Sequence, residues 1–156
     1  MTARCRITTL ELHRCEITGP HLEWLAGGVL AQSRPLVHLD LSGNGIGPDG
    51  AESLAGVLAQ CPALAHLNLR YNGIGTAGAE GLAGVLGQCA ALAHLDLFGN
   101  GIGAGGAERL AGVLAQCTAL AHLDLSAQWD WNSRRRESCK SAGAVPSADS
   151  PQSQLQ

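Results

Sequence analysis

The sequence predicts an α/β solenoid: short parallel strands line a concave sheet, and helices form the convex outer layer. Three observations predict it. The first is a fixed interval. Leu36, Leu64, Leu92 and Leu120 lie 28 residues apart, and the same offset relates Asn44, Asn72 and Asn100, then Ile46, Ile74 and Ile102, then Leu54, Leu82 and Leu110. Such self-similarity is the signature of stacked repeats. The second is a change of period inside each unit, from strand spacing to helical spacing. The third is composition: 46% apolar residues, only 3% aromatic residues and 21 glycines. The core must therefore be built from Leu, Ala, Val and Ile, and a glycine-demanding backbone must recur.

Taken in chain order, residues 1–6 are a lead-in and residues 7–35 form a diverged first unit. Its apolar positions are Ile7, Leu10, Leu12, Cys15, Ile17, Leu25 and Leu30, and Gly28 lengthens it to 29 residues. The second unit, 36–63, shows the pattern most clearly. Leu39 and Leu41 alternate with His38, Asp40 and Ser42, as in a strand with one buried face. Ala51, Leu54, Ala55 and Leu58 then follow helical spacing. Asp49 and Glu52 have the spacing of a capping box. At the corresponding positions, Ala77 and Gly105 cannot cap, and Glu80 and Glu108 can only favour the positive helix end. Units 64–91 and 92–119 repeat the scheme, and 120–125 opens a fifth strand.

Neither half of a unit can bury its apolar face alone. Each helix also carries an interior glycine (Gly56, Gly84, Gly112), at about 0.8–1 kcal/mol apiece relative to alanine. Stacking supplies what the isolated pieces lack, and because helices are wider than strands the stack curves into a horseshoe segment. The Asn44, Asn72 and Asn100 column stands where a loop leaves the strand with unpaired backbone groups. A buried carboxamide can both donate and accept there.

These motifs resemble the ribonuclease-inhibitor-like class of leucine-rich repeats. The LxxLxLxxN pattern is met by Leu36-Leu39-Leu41-Asn44, Leu64-Leu67-Leu69-Asn72 and Leu92-Leu95-Leu97-Asn100, and its cysteine form by Ile7-Leu10-Leu12-Cys15. The resemblance covers residues 7–125. Within the class, the wording LDLSGNGIG with GAE and LAGVLAQC is similar to the C-terminal repeats of cytosolic nucleotide-binding leucine-rich-repeat (NLR) immune receptors. It implies a cytoplasmic protein-protein interaction module with a regulatory or ligand-sensing role. It carries no nucleotide binding with it, since no GxxxxGK[ST] segment occurs. A regulator like the activating protein for the Ran GTPase, which shares the repeat type, is the minor alternative, although that family has an acidic tail and this chain lacks one.

After Leu125 the pattern fails. Gln128 stands where the next asparagine belongs, and 126–156, with Trp129, Trp131 and an Arg134-Arg135-Arg136 run, reads as a disordered tail. The ends carry no polar caps, and the last strand would be an exposed edge. A fragment or truncated product of a longer protein with only a structural role is the alternative expectation. A net charge of −3 and a single lysine argue against nucleic acid and anionic membrane as partners. No apolar run is long enough to cross a bilayer. Cys61, Cys89 and Cys117 recur once per unit and read as buried thiols of a reducing compartment.

Function must then reside on the concave face, where three side chains per strand face water. The first column is Thr9, His38, His66, His94 and His122; the second is Glu11, Asp40, Asn68, Asp96 and Asp124. The third, His13, Ser42, Arg70, Phe98 and Ser126, varies from unit to unit, as does its neighbour Arg14, Gly43, Tyr71, Gly99 and Ala127. Arg70, Tyr71 and Phe98 are residue types that anchor protein interfaces. They are the expected partner contacts, flanked by His66 and His94. Neutral drift on an exposed face is the competing reading. The histidine row, on strands about 4.8 Å apart, raises a metal site or a pH response. Ligands along one line do not converge as a tetrahedral ion requires, so no metal and no cofactor are expected. No serine or thiol is set beside a histidine in an enclosed pocket, so no catalytic residue is assigned.

Overall fold

The computed structural model describes residues 7–30 and 36–128. The lead-in at 1–6 and the residues from Trp129 onward, including the arginine run, lie outside the described residues. Five three-residue strands, β1 (Thr9–Glu11), β2 (His38–Asp40), β3 (His66–Asn68), β4 (His94–Asp96) and β5 (His122–Asp124), form one parallel sheet in sequence order. Between them run α1 (Gly19–Leu25), which continues into a π-helical turn at Ala26–Leu30, then α2 (Gly47–Leu58), α3 (Gly75–Leu86) and α4 (Gly103–Leu114). The chain is an α/β repeat solenoid.

Register follows the period. His38 pairs with His66, His66 with His94 and His94 with His122, while Leu39, Leu67 and Leu95 face inward and are almost fully buried. One continuous core joins these to Leu41, Leu69 and Leu97 from the strand exits, and to Leu54, Leu82 and Leu110 from the helices. Burial of each such leucine contributes about 1.5–3 kcal/mol. That offsets the poor helix propensity of the glycine-bearing segments.

The asparagine column joins each unit to the one before it. Asn72 Oδ1 accepts from the backbone N–H of Asn44 (3.0 Å) and Ile46 (3.4 Å), and its Nδ2 donates to the Leu41 and Leu69 carbonyls. Asn100 does the same for Asn72 and Ile74, and Asn44 for Cys15 and Ile17. Gln128 corrects the expectation that the pattern ends at Leu125. Its Oε1 accepts from Ile102 N–H at 3.0 Å and its Nε2 donates to the Leu97 carbonyl at 3.0 Å. Its longer side chain does the asparagine's work, so the ladder extends one step into the segment read as tail.

Two further expectations are corrected. Asp49 is not a helix cap: α2 begins at Gly47, so Asp49 lies inside the first turn and no side chain caps the helix. The exposed N–H at the helix entrance is met across the stack instead, Gly47 donating to the Asn72 carbonyl and Gly75 to the Asn100 carbonyl at 2.9 Å. A reciprocal side-chain cap occurs only at α1 among the described helices, where Thr18 N–H donates to His21 Nδ1 at 3.2 Å. Cys15, placed by its motif among the buried column, is exposed. Among the described residues, no unit lies beyond it to cover that position.

Candidate functional site

The concave face is set by backbone alternation. With Leu39, Leu67 and Leu95 turned inward, the histidine and Asp/Asn columns on either side must turn outward. The second column has a structural task that sequence reading missed. Asp40 Oδ1 accepts from Ser42 N–H (2.8 Å), Asn68 Oδ1 from Arg70 N–H (3.2 Å), Asp96 Oδ1 from Phe98 N–H (3.0 Å) and Asp124 Oδ1 from Ser126 N–H (2.9 Å). Each side chain turns the chain out of its strand by bonding two residues ahead. The constancy of this column has that local cause. Its signal in the sequence is the recurrence of Asp or Asn alone at that offset. The bond from the Ser126 hydroxyl and then that from its backbone N–H hold the Asp124 carboxyl below its ordinary pKa.

The structure brings Arg70, Tyr71 and Phe98 together. The Arg70 guanidinium carbon lies 4.4 Å from the centre of the Phe98 ring and 5.9 Å from that of Tyr71. The two rings meet edge to face at 5.1 Å. Arg70 also donates to Asp96 Oδ2 at 3.1 Å. Asp96 therefore completes the cluster by holding the guanidinium over the Phe98 face. Sequence reading placed Asp96 on this face without assigning it that role, because the pairing runs diagonally across two strands. The pair is partly exposed, so its own contribution to stability is small; its effect is to orient the cation.

Tyr71 is the unusual member. Its φ is +53°, the left-handed region, and its side chain is 48% exposed. The corresponding positions in the units on either side are Gly43 and Gly99, both at φ +69°. The turn favours glycine without requiring it, and a tyrosine there carries a cost of about 1–2 kcal/mol. Gly99 makes the placement possible: a Cβ on it would come within 2.7 Å of the Tyr71 ring. Arg14 and Ala127 hold the same position in the first and last units at φ +53° and +50°; of the three non-glycine residues only Tyr71 lays an aromatic ring over a neighbour's glycine.

His66 and His94 lie two columns from Arg70 and Phe98, stacked at 4.4 Å with planes 17° apart. His38 and His122 extend the row at 5.6 and 5.8 Å. Loss of hydration, followed by repulsion from His94 and His38, pushes the His66 pKa below its ordinary value. Among the described residues, no three His, Cys, Asp or Glu side chains converge on a metal-holding arrangement.

Cys61, Cys89 and Cys117 are buried and unpaired behind the helices. Burial raises the pKa of all three, and that of Cys89 reaches about 11 with the neighbouring thiols adding to the effect. Such thiols are poor nucleophiles at neutral pH. No described helix is long and apolar enough to cross a membrane.

Comparison with known proteins agrees with this geometry. The family described as "Leucine Rich repeat" matches residues 32–55, 60–83 and 88–111. "NACHT, LRR and PYD domains-containing protein 12" of Mus musculus is 46% identical over 52 residues, 33% of this chain but only 5% of that protein. The likeness to that relative is thus confined to a short stretch of a much longer polypeptide. Among solved structures, "Leiomodin-1 Actin-Binding Site 2 (ABS2)" superposes with a TM-score of 0.66, covering 88% of this chain and 89% of that one at 19% identity. At that identity the likeness is one of fold.

Proposed function

We propose, from the premise that the chain is a leucine-rich-repeat protein with repeats resembling those of NLR receptors, that it is a non-enzymatic protein-interaction module. Its partner docks on the concave face, and Arg70, Tyr71 and Phe98 are the anchoring contacts, flanked by His66 and His94. The single observation that carries this reading is Tyr71. A ring held half-exposed in a left-handed turn, where the neighbouring units use glycine, costs the folded chain stability. Backbone strain retained in this way concentrates at binding sites. The cluster also has the make-up of an interface anchor: two aromatic rings and a partly exposed arginine.

The NLR resemblance extends the reading to a regulatory or ligand-sensing role in the cytoplasm. The test is affinity capture from cytosol with the wild-type chain and with an Arg70→Ala, Tyr71→Ala, Phe98→Ala variant, matched for folding by circular dichroism. Proteins retained by the first and lost by the second support the concave site. Identical capture profiles from two folded chains would rule that site out and favour a purely structural role.

A further inference from the structure

Among the described residues, the C-terminal end of the stack lacks the cover that the inner units have. Leu39, Leu67 and Leu95 are 0–2% exposed, whereas Leu123, their counterpart on β5, is 38% exposed. Ala51 and Ala79 are sealed by the next unit, while Ala107 is only half-buried; Ala83 is buried, while Ala111 is exposed. Leu120 and Leu125 likewise lose the cover that Leu92 and Leu97 have. The face is thus the surface that each inner unit presents to a neighbour.

We propose that this end docks against a second copy of this chain, β5 beside β5 in antiparallel register about a two-fold axis through Leu123. Three features select that occupant. His122 and Asp124 direct backbone groups toward β4, bonding with Ala93 and Leu97, so strand alternation turns the Leu123 N–H and carbonyl outward. Two such strands centred on Leu123 exchange both bonds as one hydrogen-bonded pair. That register sets His122 of each copy opposite Asp124 of the other, on the concave side. Flanking pairs of this kind lie about 4.5 Å apart at Cα, close enough for imidazole to donate to carboxylate. On the other side Leu123 meets Leu123, with Leu125 and Ala121 alternating across the join. Ala107 and Ala111 keep the facing side of α4 low, so the two helices can close behind the sheet.

β1, the opposite edge, lacks this self-complementarity: it would set Thr9 against Glu11 around Leu10. The product at β5 is one sheet of ten strands, closing an edge that no described strand pairs and presenting two copies of the concave face side by side.

Sedimentation equilibrium on the full 156-residue chain tests this, alongside Leu123→Arg, His122→Asp and a chain ending at Gln128. A reversible dimer at micromolar concentration is expected, with dissociation constants at least tenfold higher for both variants. His122→Asp opposes two carboxylates at an exposed site, so it carries the test if Leu123→Arg fails to fold. Three results would each overturn the proposal: a monomer at all concentrations, a dimer indifferent to His122→Asp, or a dimer only after removal of residues 129–156, which would make those residues the cover.

Discussion

At the residue scale the chain is governed by side chains that answer backbone needs. Asn72 meets two N–H groups of one unit and two carbonyls of the sheet. Asn72→Ala leaves buried polar groups unpaired, at about 1–3 kcal/mol for each that water cannot reach. A loss of roughly 3 kcal/mol is expected in urea unfolding. Asn44→Ala should cost less, because the Cys15 amide it serves lies at the exposed end of the stack. Tyr71 works the other way. Tyr71→Gly relieves a left-handed tyrosine, worth about 1–2 kcal/mol, and gives up its edge-to-face contact with Phe98, worth about 0.5–1.5 kcal/mol. Thermal stability should therefore stay within about 1 kcal/mol of wild type, while partner capture is lost. A large fall in stability would show the ring to be structural. Neither the strain nor the Asp96 grip on Arg70 is legible in sequence. A φ angle and a diagonal cross-strand pair are properties of the assembled turn, and an inventory of residue types does not contain them.

Elements here are individually weak and collectively held. The glycines of α2, α3 and α4 separate into two kinds that look alike in sequence. Gly56, Gly84 and Gly112 face open space, with nothing within 4 Å of an added Cβ. Substitution of any of them by alanine should stabilise by about 0.8–1 kcal/mol, read as a raised unfolding midpoint. Gly78 is different: a Cβ there would lie 2.9 Å from the Ala51 Cβ and 3.1 Å from the Pro48 Cα of the preceding unit. Gly78→Ala should destabilise by about 1–3 kcal/mol through overpacking. Equal effects at Gly78 and Gly84 would contradict the close approach of α2 and α3. Strand positions were legible because alternation is local, and the helices because their apolar spacing is. Helix starts were not: α2 begins at Gly47 because an Asn72 carbonyl from the next unit receives the Gly47 N–H, a partner that no local cap signal reveals.

For the whole molecule, stacking places four imidazoles in a row that no single unit contains. The folded-state pKa of His66 is lowered, through lost hydration and then through His94 and His38. A group with a depressed cationic pKa binds fewer protons folded than unfolded, so stability rises with pH through that interval. Acidification from neutral pH to below the folded pKa of His66 should therefore loosen the stack, and stability should be regained as pH rises past the ordinary histidine value. In NMR titration the His66 ring signals should show a midpoint below 6.5; a midpoint at or above that value would contradict the stacked row.

The sequence alone determined the repeat, the inward leucines, the outward columns and the asparagine ladder. Each follows from a period that local backbone geometry imposes on every unit in turn. Tertiary structure decided what units do to one another: Gln128 completing the ladder, Cys15 left uncovered, Asp96 steadying Arg70, and Tyr71 spread over Gly99. These depend on which groups lie beside each other across a distance of 26 to 28 residues. That adjacency exists only once the units have stacked.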